Sequence, residues 1–210
     1  MKAKFGVIFS MAAFGTIAVF VRNIGLPSGE VALYRAVIAA LALFLWQLCT
    51  RQTVRWQDVK KELPLLFVSG AAMSVNWILL FEAYKYTTVA MATLSYYFAP
   101  VIVTVASTVL FREGLTAKQI SCFVMSTLGL VMVIGVSGGG GSHDLLGILL
   151  GLGAAVFYAA VVLINKGIRR VSGLNRTFLQ FIAAILVMMP YVFLTGGSHL
   201  GSLDLAGTVN

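Results

Sequence analysis

Charge is what this chain has least of. Asp, Glu, Lys and Arg make up 10% of its 210 residues, against about 25% in a soluble domain, so composition alone excludes an ordinary soluble fold. The two cysteines, Cys49 and Cys122, cannot build a disulfide framework. Both fall at helix ends that the charge pattern makes cytoplasmic, where thiols stay reduced, and each reads as a small apolar filler. His143 and His199 lie outside the apolar runs with no other ligands beside them, so neither a metal nor a cofactor is expected. Gly138–Gly141 is not followed by Gly-Lys-Ser/Thr and is no phosphate loop. The runs hold no histidine, no Gly-x-Ser-x-Gly and no acidic residue except at their ends. The converging acid, base and nucleophile of a membrane enzyme are therefore missing.

What is present is hydrophobic length. Residues are 60% hydrophobic, gathered in seven runs at 5–21, 31–48, 63–81, 87–111, 119–136, 145–165 and 177–194. These predict an all-α, polytopic membrane helix bundle. The first run has no small-x-small cleavage site after it and is read as an uncleaved first span. SGGGGSHD, residues 137–144, is expected to be a flexible loop, and the residues after 194 are turn-like.

Lys and Arg set the orientation. With a cytoplasmic N-terminus, the inside segments hold Lys2, Lys4, Arg51, Arg55, Lys60, Lys61, Arg112, Lys118, Lys166, Arg169, Arg170 and Arg176. The outside segments hold Arg22 and Lys85. The net charge of +8 is thus explained by topological anchors in a cell membrane, and no nucleic-acid partner is inferred.

The fourth run, EAYKYTTVAMATLSYYFAPVIVTVASTVLFRE with its flanks, is uncharged for about 26 residues, roughly 39 Å of helix against about 30 Å of hydrocarbon. Pro100 lacks an N–H, so the Tyr96 carbonyl loses its helical partner and a kink is expected. That orphan oxygen, with Ser95 and Tyr96, marks either a polar cavity at mid-membrane or a kink that serves packing.

The first two runs also resemble the sixth and seventh. GVIFSMAAFGTIAV and ALYRAVIAALALF set against GILLGLGAAVFYAAVV and FLQFIAAILVMM bring Gly6 to Gly147, Phe14-Gly15 beside Phe157-Tyr158, and Arg35 beside Gln180. The offset of about 141–145 residues is five helices. An odd number turns the second copy upside down in the membrane, an arrangement that carriers use to open alternately to each side.

Tyr84 and Tyr86, Thr88-Val89-Ala90, Pro100 and Glu113, with Phe14-Gly15 and the segment around Arg35, resemble EamA-type members of the drug/metabolite transporter superfamily. The likeness covers the whole chain loosely and residues 84–116 well. It implies two inverted five-helix repeats that move small metabolites, often amino acids and often outward. The first repeat would be residues 1–136 and a partial second one 145–210. Helices eight to ten of that pattern are absent, so a fragment, a dimer or partner helices from another polypeptide are all open.

Candidate cavity residues follow. Arg35, about 7–8 Å below Glu30 along its helix, could hold a substrate carboxylate, snorkel to the surface or pair with Glu82. Asn76 could contact substrate or join helices. Trp77 could line the cavity or belong to the interfacial belt. Ser95, Tyr96, Tyr158 and Gln180 complete the set, with Gly15 as a close-packing position and Pro100 as the kink. Tyr96 and Tyr97 cannot both face inward, because neighbouring helix positions point about 100° apart. Seven spans also suit a heptahelical receptor, but the positive residues put the N-terminus on the wrong side for one.

Overall fold

The computed structural model describes residues 26–50, 56–111, 114–136, 142–171 and 173–195. The first run, Gly15, the glycines at 138–141 and the chain beyond Thr195 lie outside them. Among the described residues there are seven helices and no strand: α1 (Ser28–Thr50), α2 (Trp56–Tyr86), α3 (Val89–Tyr96), α4 (Ala99–Phe111), α5 (Ala117–Val136), α6 (Ser142–Gly167) and α7 (Gly173–Leu194). Five spans are long and apolar enough to cross a membrane, α3 and α4 together forming one of them. The chain is an all-helical, polytopic membrane bundle.

Local chemistry explains the helix ends. Thr88, in extended conformation, accepts the Met91 N–H at 3.2 Å and starts α3. Thr116 and Gln119 form a reciprocal capping box at the start of α5: the Gln119 amide oxygen takes the Thr116 N–H at 2.8 Å, and Thr116 Oγ1 takes the Gln119 N–H at 3.3 Å. α6 begins at Ser142, inside the stretch expected to be loop, with Asp144 in its first turn where the helix dipole favours an anion.

The expected kink at Pro100 is a full break. α3 stops at Tyr96, Tyr97 and Phe98 form a turn, and α4 starts at Ala99. The Phe98 carbonyl takes the Val101 and Ile102 N–H groups at 3.0 and 3.2 Å, so Pro100 sits in a first helical turn, where its missing donor costs nothing.

Helices meet where side chains are smallest. A Cβ on Gly70 of α2 would lie 2.5 Å from the Ala183 Cβ and 2.7 Å from the Gln180 carbonyl oxygen of α7. Ser74 Oγ spans the same crossing, donating to the carbonyls of Gly70 at 3.0 Å and Ala184 at 3.3 Å. On α6, Gly147 abuts Thr87, Gly151 lies against Ala92 and Ser95, and Ala154 and Ala155 are fully buried. Gly29 of α1 packs on Tyr191 of α7. Such crossings let dispersion and backbone dipoles hold helices together where lipid removes the hydrophobic drive. The outer faces of α1 and α5 instead expose Ile38, Leu41, Leu45, Met125, Val131 and Met132, the surface that hydrocarbon requires.

The contacts fix the sense of each helix. Ser28 of α1 donates to Glu82 of α2, and Gln47 at the other end of α1 donates to Asn175 of α7 at 3.3 Å. With Gly29 against Tyr191, α1 and α7 therefore run antiparallel. Lys60, Lys61, Lys118, Lys166, Arg169, Arg170 and Arg176 all fall at one end, called the basic end below.

Gly70→Ala should lower the melting temperature in detergent, because its Cβ meets backbone that cannot step aside, at a cost of about 1–3 kcal/mol. Gly129→Ala in α5, with nothing within 4 Å, should leave it unchanged or raise it. Equal melting of the two variants would contradict the close crossing.

Candidate functional site

Arg35 faces the bundle from the second turn of α1, flanked by the fully buried Ala32 and Ala36. Its guanidinium carbon lies 4.7 Å from the Trp77 ring centre and 5.8 Å from that of Phe81, both on α2. Carrying an arginine into the centre of a membrane helix costs about 2.5–3.5 kcal/mol on insertion scales. A desolvated cation over tryptophan recovers about 2 kcal/mol of it. The aromatic floor thus lowers the cost of carrying this charge inside the bundle. Glu82, the alternative partner, is engaged elsewhere, with Lys85 at 3.2 Å and with Ser28.

Tyr84 and Tyr96 are polar neighbours of Arg35. Tyr96 is buried, and its ring meets Tyr158 of α6 edge-on with centroids 5.6 Å apart. Tyr97 points outward and is 55% exposed. Trp77 is buried rather than interfacial and packs on Phe181 of α7 with centroids 5.5 Å apart.

Two oxygens here lack partners. Asn76 is 1% exposed, and its Oδ1 makes no hydrogen bond although Tyr96 is its neighbour. Thr93 Oγ1, beside Tyr84, is likewise buried and unpartnered. A buried acceptor without a donor costs about 1–3 kcal/mol, and the tyrosine hydroxyls of Tyr96 and Tyr84 lie beside these two oxygens.

The remaining sequence candidates sit elsewhere. Ser95 is fully buried against Gly151 and returns its hydroxyl to the Met91 carbonyl at 2.8 Å, which makes it a packing residue. Pro100 is exposed and lines a cavity of about 400 Å³ between α4 and α5, together with Thr104, Lys118, Gln119, Cys122 and Phe123. None of Arg35, Asn76, Trp77, Tyr96 or Tyr158 lines that cavity. Gln180 belongs to a second polar cluster near the basic end, where its amide nitrogen donates to Ser69 and Asn165. Cys49 and Cys122 are exposed and fill no core.

Sequence reasoning missed Phe81 and Thr93 at the first cluster and Ser69 and Asn165 at the second. A polar side chain interrupting an apolar run was a signal for Ser69 and Thr93. Phe81 offered none, since any phenylalanine in a span reads as core. Among the described residues no group of three or more His, Cys, Asp or Glu comes together.

Comparison with known proteins finds relatives that are named as transporters. The chain is 30% identical to an uncharacterized transporter, YxxF, of Bacillus subtilis over 190 residues, covering 89% of this chain and 60% of that protein. It is 28% identical to an uncharacterized transporter of Archaeoglobus fulgidus over 202 residues, covering 95% of this chain and 70% of that one. No solved structure matches. The chain thus spans about 60% of the length of the Bacillus relative. The EamA-like transporter family model matches residues 1–135, and the chain belongs to that family.

Proposed function

We propose that this chain is part of a secondary transporter for small carboxylate-bearing metabolites of the amino-acid type, exporting or exchanging them by alternating access. The observation that carries the reading is Arg35 held over Trp77 beside the unpartnered oxygens of Asn76 and Thr93. A guanidinium suits a two-oxygen anion. The two acceptors suit the ammonium or hydroxyl donors that such a metabolite carries a few ångströms away.

The mechanism rests on inverted repeats. α1 and α7 are the equivalent second helices of the two copies, and their antiparallel packing supports the inversion. We take the basic end as cytoplasmic, in a cell membrane, by the positive-inside rule. Further helices, from the same or another polypeptide, would enclose the rest of the cavity, since the chain spans only part of its Bacillus relative. Residues 5–21 hold no glutamate, so uniport or exchange is favoured over proton coupling.

In purified protein, Arg35→Gln should weaken binding of a carboxylate substrate about 10–100-fold, the worth of one charged hydrogen-bonded contact. Arg35→Lys should retain part of it. Equal affinity in wild type and both variants, by calorimetry, would remove the anion role.

Asn76→Leu separates a site residue from interhelical glue. It deletes an unsatisfied oxygen, so the melting temperature should hold or rise while substrate uptake into proteoliposomes falls. A clear drop in melting temperature would mark Asn76 as structural.

Proteoliposomes carrying an internal pH dye should show no pH change during substrate uptake. Acidification tied to uptake would contradict exchange or uniport.

A further inference from the structure

At the basic end the two repeats are joined by polar contacts that the substrate site does not use. Glu62, on the second turn of α2, is buried at 7% exposure. One carboxylate oxygen accepts the backbone N–H groups of Arg169 and Arg170, each at 2.9 Å, and the other accepts that of Val171 at 3.2 Å. These residues form the link between α6 and α7. Val59, Leu66, Ile168 and Val171 pack around the contact. Deeper in, Ser69 of α2 donates to Asn165 of α6 at 3.3 Å, and Gln180 of α7 donates to both. Gln47 of α1 reaches Asn175 of α7, and Arg176 holds the Asn165 carbonyl at 3.2 Å.

The opposite end carries fewer polar contacts between the halves: Thr87 donates to Asp144 at 2.9 Å, beside the close seat of Gly147 on Thr87. Mid-membrane, α2 and α7 meet backbone to backbone at Gly70. Close apolar packing cannot part without leaving voids that water will not fill. Hydrogen bonds at an aqueous end can be exchanged for bonds to water at little net loss. The seam able to open and reclose is therefore the polar one, and the small-residue crossings act as its pivot.

We propose that the Glu62 carboxylate and the backbone N–H groups of residues 169–171 form a latch that keeps the basic end shut, and that its release opens this side. Glu62 is then a positioning residue acting through the α6–α7 link, with no contact to substrate. The proposal rests on the alternating-access reading above.

The test is thiol accessibility. In a Cys49→Ser, Cys122→Ser background, which removes both native thiols, Val59→Cys reports on the latch and Ser74→Cys on the pivot; both positions are buried, and Val59 packs around the Glu62 contact. A membrane-impermeant maleimide is applied to the purified protein in nanodiscs. Glu62→Gln should raise labelling at position 59 at least tenfold and leave position 74 slow. Glu62→Asp keeps the charge but shortens the reach, and should give an intermediate rate. Unchanged labelling at 59 in both variants overturns the latch, and so does equal acceleration at 59 and 74, which marks general loosening. Labelling needs no substrate. Selective acceleration in a protein that moves nothing would keep the latch and sink the transport reading; unchanged labelling in a working carrier would do the reverse.

Discussion

Gly70 against Ala183 and Gln180, and Gly151 against Ala92, are the contacts on which the rest of the bundle depends. In lipid there is no hydrophobic gain from bringing two apolar helices together, so the approach must be close enough for dispersion to matter. Only glycine, alanine and serine permit it. Once α2 sits on α7 and α6 on α3, there is no freedom left in where the bulky residues go. Trp77, Phe81, Tyr84 and Tyr96 gather in the wider space on one side of the crossing. Ser69, Asn165 and Gln180 meet on the other.

The break at Pro100 follows the same economy. An unbroken helix with proline at its centre would leave the Tyr96 carbonyl without a donor in hydrocarbon. Ending α3 at Tyr96 and restarting at Ala99 turns an interior proline into a first-turn proline. The turn also turns Tyr97 outward while Tyr96 stays inside against Tyr158. A two-residue break thus sets which of two adjacent tyrosines shares a neighbourhood with Arg35.

How much of this was legible beforehand depended on the reach of each signal. Membrane class and the helical runs are local properties of composition, and they are plain in the sequence. That Arg35 needed a partner was plain too, because a lone charge in an apolar run has few solutions. Its floor of Trp77 and Phe81 was not, since ring contacts across helices follow from rotation angles that no single helix encodes. Gln180 reads as a cavity residue because it aligns with Arg35, but under the proposed inversion that alignment carries it to the other level of the membrane. Glu62 shows in the sequence only as a charge near a helix start. Its three backbone donors come from a link more than a hundred residues later in the chain.

The proposed inversion makes the asymmetry between the clusters informative. Under the proposed inversion Arg35 and Gln180 occupy equivalent positions in the two copies, yet one is a cation and the other a neutral amide whose nitrogen donates to Ser69 and Asn165. If both levels offered a guanidinium, an anion would be held equally on each side and would gain nothing by crossing. In the proposed carrier a charged level paired with a neutral one would give the anion a single resting place, reached from either side only when the seam at that side has parted. The neutral level then has one remaining task, to seal, and hydrogen bonds that water can replace are suited to a seal that must repeatedly fail and re-form.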